Sequence, residues 1–134
     1  MPLEYSYLVA AVIVFSIHIL AEAVAGNLQY NLKDLAGARD DLPEPNAAVG
    51  RCKRASQNML EALILFAPLV IVAVETGRTN GMTELGAGIF LGARILYAPS
   101  YWFGIPWLRT LVWFAGIIGT VMVLLQVLPF SGAA

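Results

Sequence analysis

Arg54, Glu61, Arg94 and Arg109 stand inside or at the edge of apolar stretches of this sequence. A charge placed in hydrocarbon is costly, so such residues face protein and mark function by default. Their neighbours keep helical register. Arg51, Arg54, Asn58 and Glu61 are spaced i, i+3, i+7 and i+10, within about 80° of a helix circumference at about 100° per residue. Arg94, Tyr97 and Tyr101 are spaced i, i+3 and i+7, within about 60° by the same arithmetic. Gln57 sits beside Asn58, and Arg109, Thr110 and Trp113 open a further apolar segment. Together these residues are expected to line one polar cavity. Guanidiniums grip carboxylates through paired hydrogen bonds, and Glu61 is suited to an ammonium. The ligand class is a small zwitterionic or polyanionic molecule, with an apolar bilayer alongside for a lipophilic second substrate. The plainer alternative is a set of buried ion pairs, such as Arg94–Glu61, that hold helices together. It accounts poorly for three or four cations sharing one acid.

The elements that must position these residues are membrane helices. The chain has 134 residues, of which 59% are hydrophobic and 13% charged, with a mean hydropathy of +0.74. An ordinary soluble domain is about 25% charged. Disorder is excluded, because it needs low hydrophobicity and high charge. The net charge of -1 speaks against nucleic acid. Cys52 is the only cysteine, so there is no disulfide framework, and it reads as an ordinary thiol despite Arg51 and Lys53. A spanning helix takes about 20 mostly apolar residues, and four such segments fill the chain as one all-α transmembrane domain.

The first is expected over about 3–36, running past the bilayer on the amphipathic positions Leu28, Leu32 and Leu35 and stopping at Gly37. The second covers about 46–76, with Asn46 as N-cap and Pro68 as a kink. The third covers about 82–102, with Pro99 bending it, and the fourth about 106–128, begun by Pro106. The acidic start, Met1 to Glu4, lacks the basic region of a signal peptide. Lys33, Arg39, Arg51, Lys53, Arg54, Arg94 and Arg109 fall on one side and Arg78 alone on the other. By the positive-inside rule both termini are extracytoplasmic and the site faces the cytoplasm.

The run Arg54-Ala55-Ser56-Gln57-Asn58-Met59-Leu60-Glu61 resembles the RAxxNxxE signature of the MAPEG family, the membrane-associated proteins of eicosanoid and glutathione metabolism. Gly92-Ala93-Arg94-Ile95-Leu96-Tyr97, then Tyr101, then Arg109-Thr110, resembles its second conserved region. Gly37 to Pro43 looks like the first loop of bacterial members, which implies a bacterial inner membrane. The resemblance spans nearly the whole chain. It implies a homotrimer of four-helix subunits with glutathione, as co-substrate, between neighbours near the cytoplasmic face. By motif, Arg54, Asn58 and Glu61 would hold glutathione, with Glu61 at its amino group; Arg94, Tyr97 and Tyr101 would complete the binding positions. Arg51, Gln57 and Thr110 are further candidates for the ligand.

Arg109 matches the arginine that faces the glutathione sulfur in active members and is the catalytic candidate. It would stabilise a thiolate that attacks a lipophilic electrophile or a hydroperoxide. No metal is implied. The sequence departs from the family where helix 1 ends, since Gly26 to Leu32 has amides where active members often carry arginines. Ala62 stands where members often have an aromatic residue, and Trp113 where some have a tyrosine.

Two other function classes remain at this stage. One is a non-enzymatic lipid- or ligand-binding scaffold. The other is a small multidrug transporter using Glu22 as a proton-coupled carboxylate, which a cavity lined by arginines disfavours. His18 is read as an interhelical hydrogen-bonding residue, and Glu22 as a partner for an arginine of an adjacent helix. Gly86, Gly88, Gly92, Gly116 and Gly119 are read as close-packing contacts. Trp102, Trp107 and Tyr101 suit an aromatic belt.

Overall fold

The computed structural model describes residues 1–129, all of whose regular structure is helical. The elements are α1 (Leu3–Gln29), α2 (Leu32–Ala36), α3 (Ala47–Glu75), α4 (Gly81–Trp102) and α5 (Pro106–Val127). Three of them, α1, α3 and α5, are long and apolar enough to cross a membrane. The fourth long helix, α4, is 22 residues long and packs most extensively against α5.

Capping fixes where the helices begin. The Asn46 side chain accepts from the Val49 amide at 2.9 Å and starts α3. Asn80 accepts from the amides of Met82 and Thr83, while Thr83 Oγ1 accepts from the Asn80 amide, a capping box for α4. Pro106 opens α5, where its missing N–H is harmless. At the far end of α3, Gly77 takes a left-handed φ of 70°. The Arg78 amide then reaches Ala73 O, and the Gly77 amide reaches Val74 O, closing a Schellman turn. Arg78 itself donates to the carbonyls of Val127 and Leu128, which α5 leaves unpaired. Both Pro68 and Pro99 lie inside uninterrupted helices.

The first helix is not continuous to residue 36. It stops at Gln29, Tyr30 is extended, and Asn31 starts the separate five-residue α2 by accepting from the Asp34 amide. Side chains after Gly26 bond to the arriving loop instead of forming one helix face. Gln29 donates to Glu44 O and accepts from the Asn46 amide, and the Tyr30 hydroxyl donates to Pro43 O. The periodicity of Leu28, Leu32 and Leu35 is real, but an asparagine that caps locally competes with the helix and wins.

The core forms where α3 meets α4. Phe66 and Phe90 stack with centroids 3.9 Å apart, surrounded by Met59, Val70, Ala87 and Val123. The α4–α5 crossing is close. A Cβ on Gly86 would lie 2.7 Å from Gly119 O, and one on Gly119 would lie 2.5 Å from Gly86 O. A Cβ on Gly116 or Gly88 would make ordinary contact with Ala93 or Tyr7 respectively, whereas one on Gly92 would meet nothing within 4 Å, so Gly92 is not a close-packing contact within the chain. Helix α1 attaches along a narrow seam. Its buried residues are Glu4, Ala11, His18 and Ala25, seven apart, and most of the remaining apolar side chains face outward.

Candidate functional site

Helix α3 supplies the floor of the site. Its amphipathic first half places Arg54, Gln57, Asn58 and Glu61 on a cavity of about 660 Å³, which Tyr101 of α4 and Glu22 of α1 also line. Arg54 Nε donates to the Tyr101 hydroxyl at 3.0 Å, and its guanidinium carbon lies 6.0 Å from that ring's centroid. The Arg109 guanidinium lies 5.0 Å from the same ring. One phenol therefore links two cations carried on different helices. Gln57 Nε2 approaches Glu61 Oε1 at 3.4 Å, a long contact that leaves the carboxylate available.

Behind this wall Arg94 is 2% exposed. Its Nη1 donates to Asn58 Oδ1 at 3.0 Å, its Nε approaches Met59 Sδ at 3.3 Å, and its carbon lies 4.2 Å over the Tyr97 ring. The Arg94–Glu61 ion pair considered from the sequence is not made; a neutral amide takes the guanidinium instead. Tyr97 is buried, with its ring 5.6 Å from that of Tyr101. It supports the site from within and does not line the cavity.

Not every candidate converges on the cavity. Arg51 Nη1 reaches the Trp102 carbonyl at 3.5 Å, toward the connection between α4 and α5. Thr110 is exposed and its hydroxyl donates back to Pro106 O. That bond arises because a helical threonine can satisfy itself one turn earlier. Arg109 is half-buried over Tyr101 and is not part of the cavity wall.

Two sequence expectations are corrected. Glu22 takes no arginine of an adjacent helix. It accepts from the Ser56 hydroxyl at 2.7 Å and joins the cavity wall together with Lys53. The sequence reading leaves Glu22 out of the site; its charge inside the first apolar segment is the signal that could have placed it there, whereas Ser56 gives none. His18 is fully buried, but neither ring nitrogen has a hydrogen-bond partner. Its ring instead meets Trp102 edge-on at 5.4 Å, and the indole N–H of Trp102 is also unpartnered. Aromatic packing has replaced the expected interhelical hydrogen bond.

Among the described residues no cluster of side chains is suited to a metal ion. The chemistry the arrangement offers is recognition of carboxylate and ammonium groups, with cations placed to stabilise an anion. The model of the MAPEG family matches residues 5–128, nearly the whole chain. No curated protein and no solved structure matches it.

Proposed function

The chain belongs to the MAPEG family, and on that premise we propose that it is a membrane-embedded, glutathione-dependent transferase or peroxidase. The observation that carries this reading is the cavity in which Arg54, Asn58, Glu61 and Tyr101 meet. It pairs a guanidinium for a carboxylate with a carboxylate for an ammonium, the two needs of a zwitterionic peptide thiol. In this reading Arg54 and Asn58 hold glutathione and Glu61 meets its amino group. Four helices span the bilayer, three subunits assemble, and glutathione lies near the cytoplasmic face, with lipids and a lipophilic acceptor alongside.

Arg109 has the catalytic role. A free thiol ionises near pH 8.5, so only a few per cent is thiolate at neutrality. A guanidinium beside the sulfur favours the anion, and each unit of depression is worth about 1.4 kcal/mol. Two units make thiolate the main species at pH 7. The thiolate then attacks the acceptor directly, with no protein nucleophile.

Thermal denaturation of the detergent-solubilised protein tests the binding half: reduced glutathione raises the melting temperature more than its disulfide does. Equal stabilisation by both, or none, removes the thiol reading. Arg109→Ala tests the chemical half. It keeps most glutathione affinity and loses conjugation of 1-chloro-2,4-dinitrobenzene by about 100-fold, the usual effect of removing a donor to a developing anion. Wild-type turnover in that variant takes Arg109 out of the catalytic role.

A further inference from the structure

A larger cavity, of about 820 Å³, lies where the loop between α2 and α3 meets the end of α1. It shares only Glu22 and Lys53 with the polar cavity described above. Its size falls within the range of about 300–1,000 Å³ usual for small-molecule sites. Three hydrogen bonds pin the loop that walls it. Gln29 Nε2 donates to Glu44 O at 2.8 Å, the Asn46 amide donates to Gln29 Oε1 at 2.7 Å, and the Tyr30 hydroxyl donates to Pro43 O at 2.8 Å. Pro43 and Pro45 flank Glu44 and stiffen the backbone on both sides of it. Glu44 is therefore carried on a rigid part of the wall.

Arg39 faces the same cavity from the other end of the loop. Among the described residues it is the one non-glycine residue with positive φ, at 65°. A Cβ makes that conformation unfavourable, and a glycine would hold it without strain. Strain of this kind is characteristic of ligand clamps. Arg39 Nε donates to Leu35 O at 2.7 Å, which folds the guanidinium back onto α2. That bond spends Nε alone, and the two Nη groups carry the donors that suit a phosphate. Lys53 adds a second cation to the wall, and Glu22 a second carboxylate that already accepts from Ser56. Leu32, Leu35, Leu42 and Val49 line the space between the charges. Ile19, 53% exposed, leads from it onto the apolar outer face of α1.

We propose that this cavity holds the head group of a bilayer lipid of the phosphoethanolamine class, with its phosphate on Arg39 and Lys53 and its ammonium on Glu44. Basic pockets beside membrane helices take lipid phosphates, and the carboxylate on this wall decides which lipid. A phosphoglycerol head group brings no cation for Glu44. A phosphocholine head group has no N–H to donate and is held by cages of aromatic rings, whereas Tyr30 is the one aromatic ring on this wall. The acyl chains follow Ile19 along the outside of α1. Neither Arg39 nor Glu44 lines the polar cavity of α3, so the lipid site stands or falls independently of the thiol reading.

Native mass spectrometry tests the preference. The detergent-solubilised protein is equilibrated with equal amounts of phosphatidylethanolamine, phosphatidylglycerol and phosphatidylcholine bearing identical chains. Phosphatidylethanolamine should be retained about tenfold over either rival, the worth of one charge-assisted hydrogen bond. Glu44→Gln should abolish that preference while phospholipid is still bound, and Arg39→Gln should lower retention of all three lipids about tenfold by the same measure. Equal retention of the three lipids by the wild type, or a preference that survives Glu44→Gln, overturns the assignment.

Arg39→Gly separates binding from folding. It relaxes the backbone at the strained position, so the lipid-free protein should melt no lower than the wild type and yet lose the lipid. Full retention of lipid by that variant removes Arg39 from the clamp. sn-Glycero-3-phosphoethanolamine, the head group without its chains, should fail to displace the lipid at equal concentration. Displacement would make the occupant a soluble phosphoethanolamine compound and overturn the bilayer source.

Discussion

Asn58 is the acceptor that lets Arg94 keep its charge inside the helices. Asn58→Leu keeps the branched shape and removes the amide, leaving the guanidinium with a sulfur and an aromatic face. Breaking one partner of a buried charged pair costs about 3–5 kcal/mol. An uncharged acceptor places Asn58→Leu near the lower end, about 3 kcal/mol, read by urea or guanidinium unfolding in detergent. A change below about 1 kcal/mol would mean that Arg94 finds another acceptor. His18 gives the opposite expectation. Because both its nitrogens are unsatisfied, a phenyl ring of similar shape removes a cost instead of a bond. His18→Phe should be neutral or stabilising by about 1 kcal/mol in the same experiment, provided the edge-on contact with Trp102 is kept. A loss of stability would restore the hydrogen-bonding role first read from the sequence.

Among the helices, the crossing of α4 and α5 has the least tolerance. Gly119 and Gly86 meet backbone to backbone, so a methyl group at Gly119 has no flexible side chain to push aside. Gly119→Ala should destabilise by about 1–3 kcal/mol, the cost of overpacking. Gly116→Ala, whose methyl would lie 3.6 Å from Ala93 Cβ, should fold as the wild type does. Comparing the two melting temperatures separates a steric contact from a general dislike of losing glycine. The spacing of these residues suggested close packing, but the sequence has no means of ranking them. Gly92 fits the same pattern, yet a Cβ there would meet nothing within 4 Å. The break at Tyr30 was hidden for a different reason. Its cause is a set of bonds between Gln29 and Tyr30 and a loop that arrives some fifteen residues later, and periodicity within one segment carries no such information.

Across the whole molecule, hydropathy and the RAxxNxxE run made the helical architecture and the residues of α3 legible in the sequence. Periodicity put Arg54, Asn58 and Glu61 on one face, and those three line one cavity. Partner choice was less legible. Whether Arg94 takes Glu61 or Asn58, and whether Thr110 looks toward the ligand or back along its own helix, depends on ångström-scale distances between helices. The charge distribution yields a sidedness prediction. Seven of the eight basic residues lie on the proposed cytoplasmic side. In Cys52→Ser protein, a cysteine introduced at Asp40 should react with an impermeant maleimide in inside-out vesicles and be protected in right-side-out vesicles. The reverse pattern would invert the orientation.

The seam of α1 also sets how far that helix sits along the bundle. A seven-residue slip moves a helix about 10.5 Å and returns the same stripe to the same groove. A seam of small apolar residues alone would offer several such positions of nearly equal energy. Here the N-terminal end carries Glu4, 2% exposed and accepting from the Thr83 hydroxyl at 3.2 Å. The middle carries His18 against Trp102. A slip in either direction would strand that carboxylate or lift the imidazole off its ring. Ala11 and Ala25 give the close fit, and the two polar exceptions fix the register, much as one buried asparagine fixes the alignment of a coiled coil. Insertion depth is thereby written into four residues, and with it the height at which Glu22 reaches Ser56.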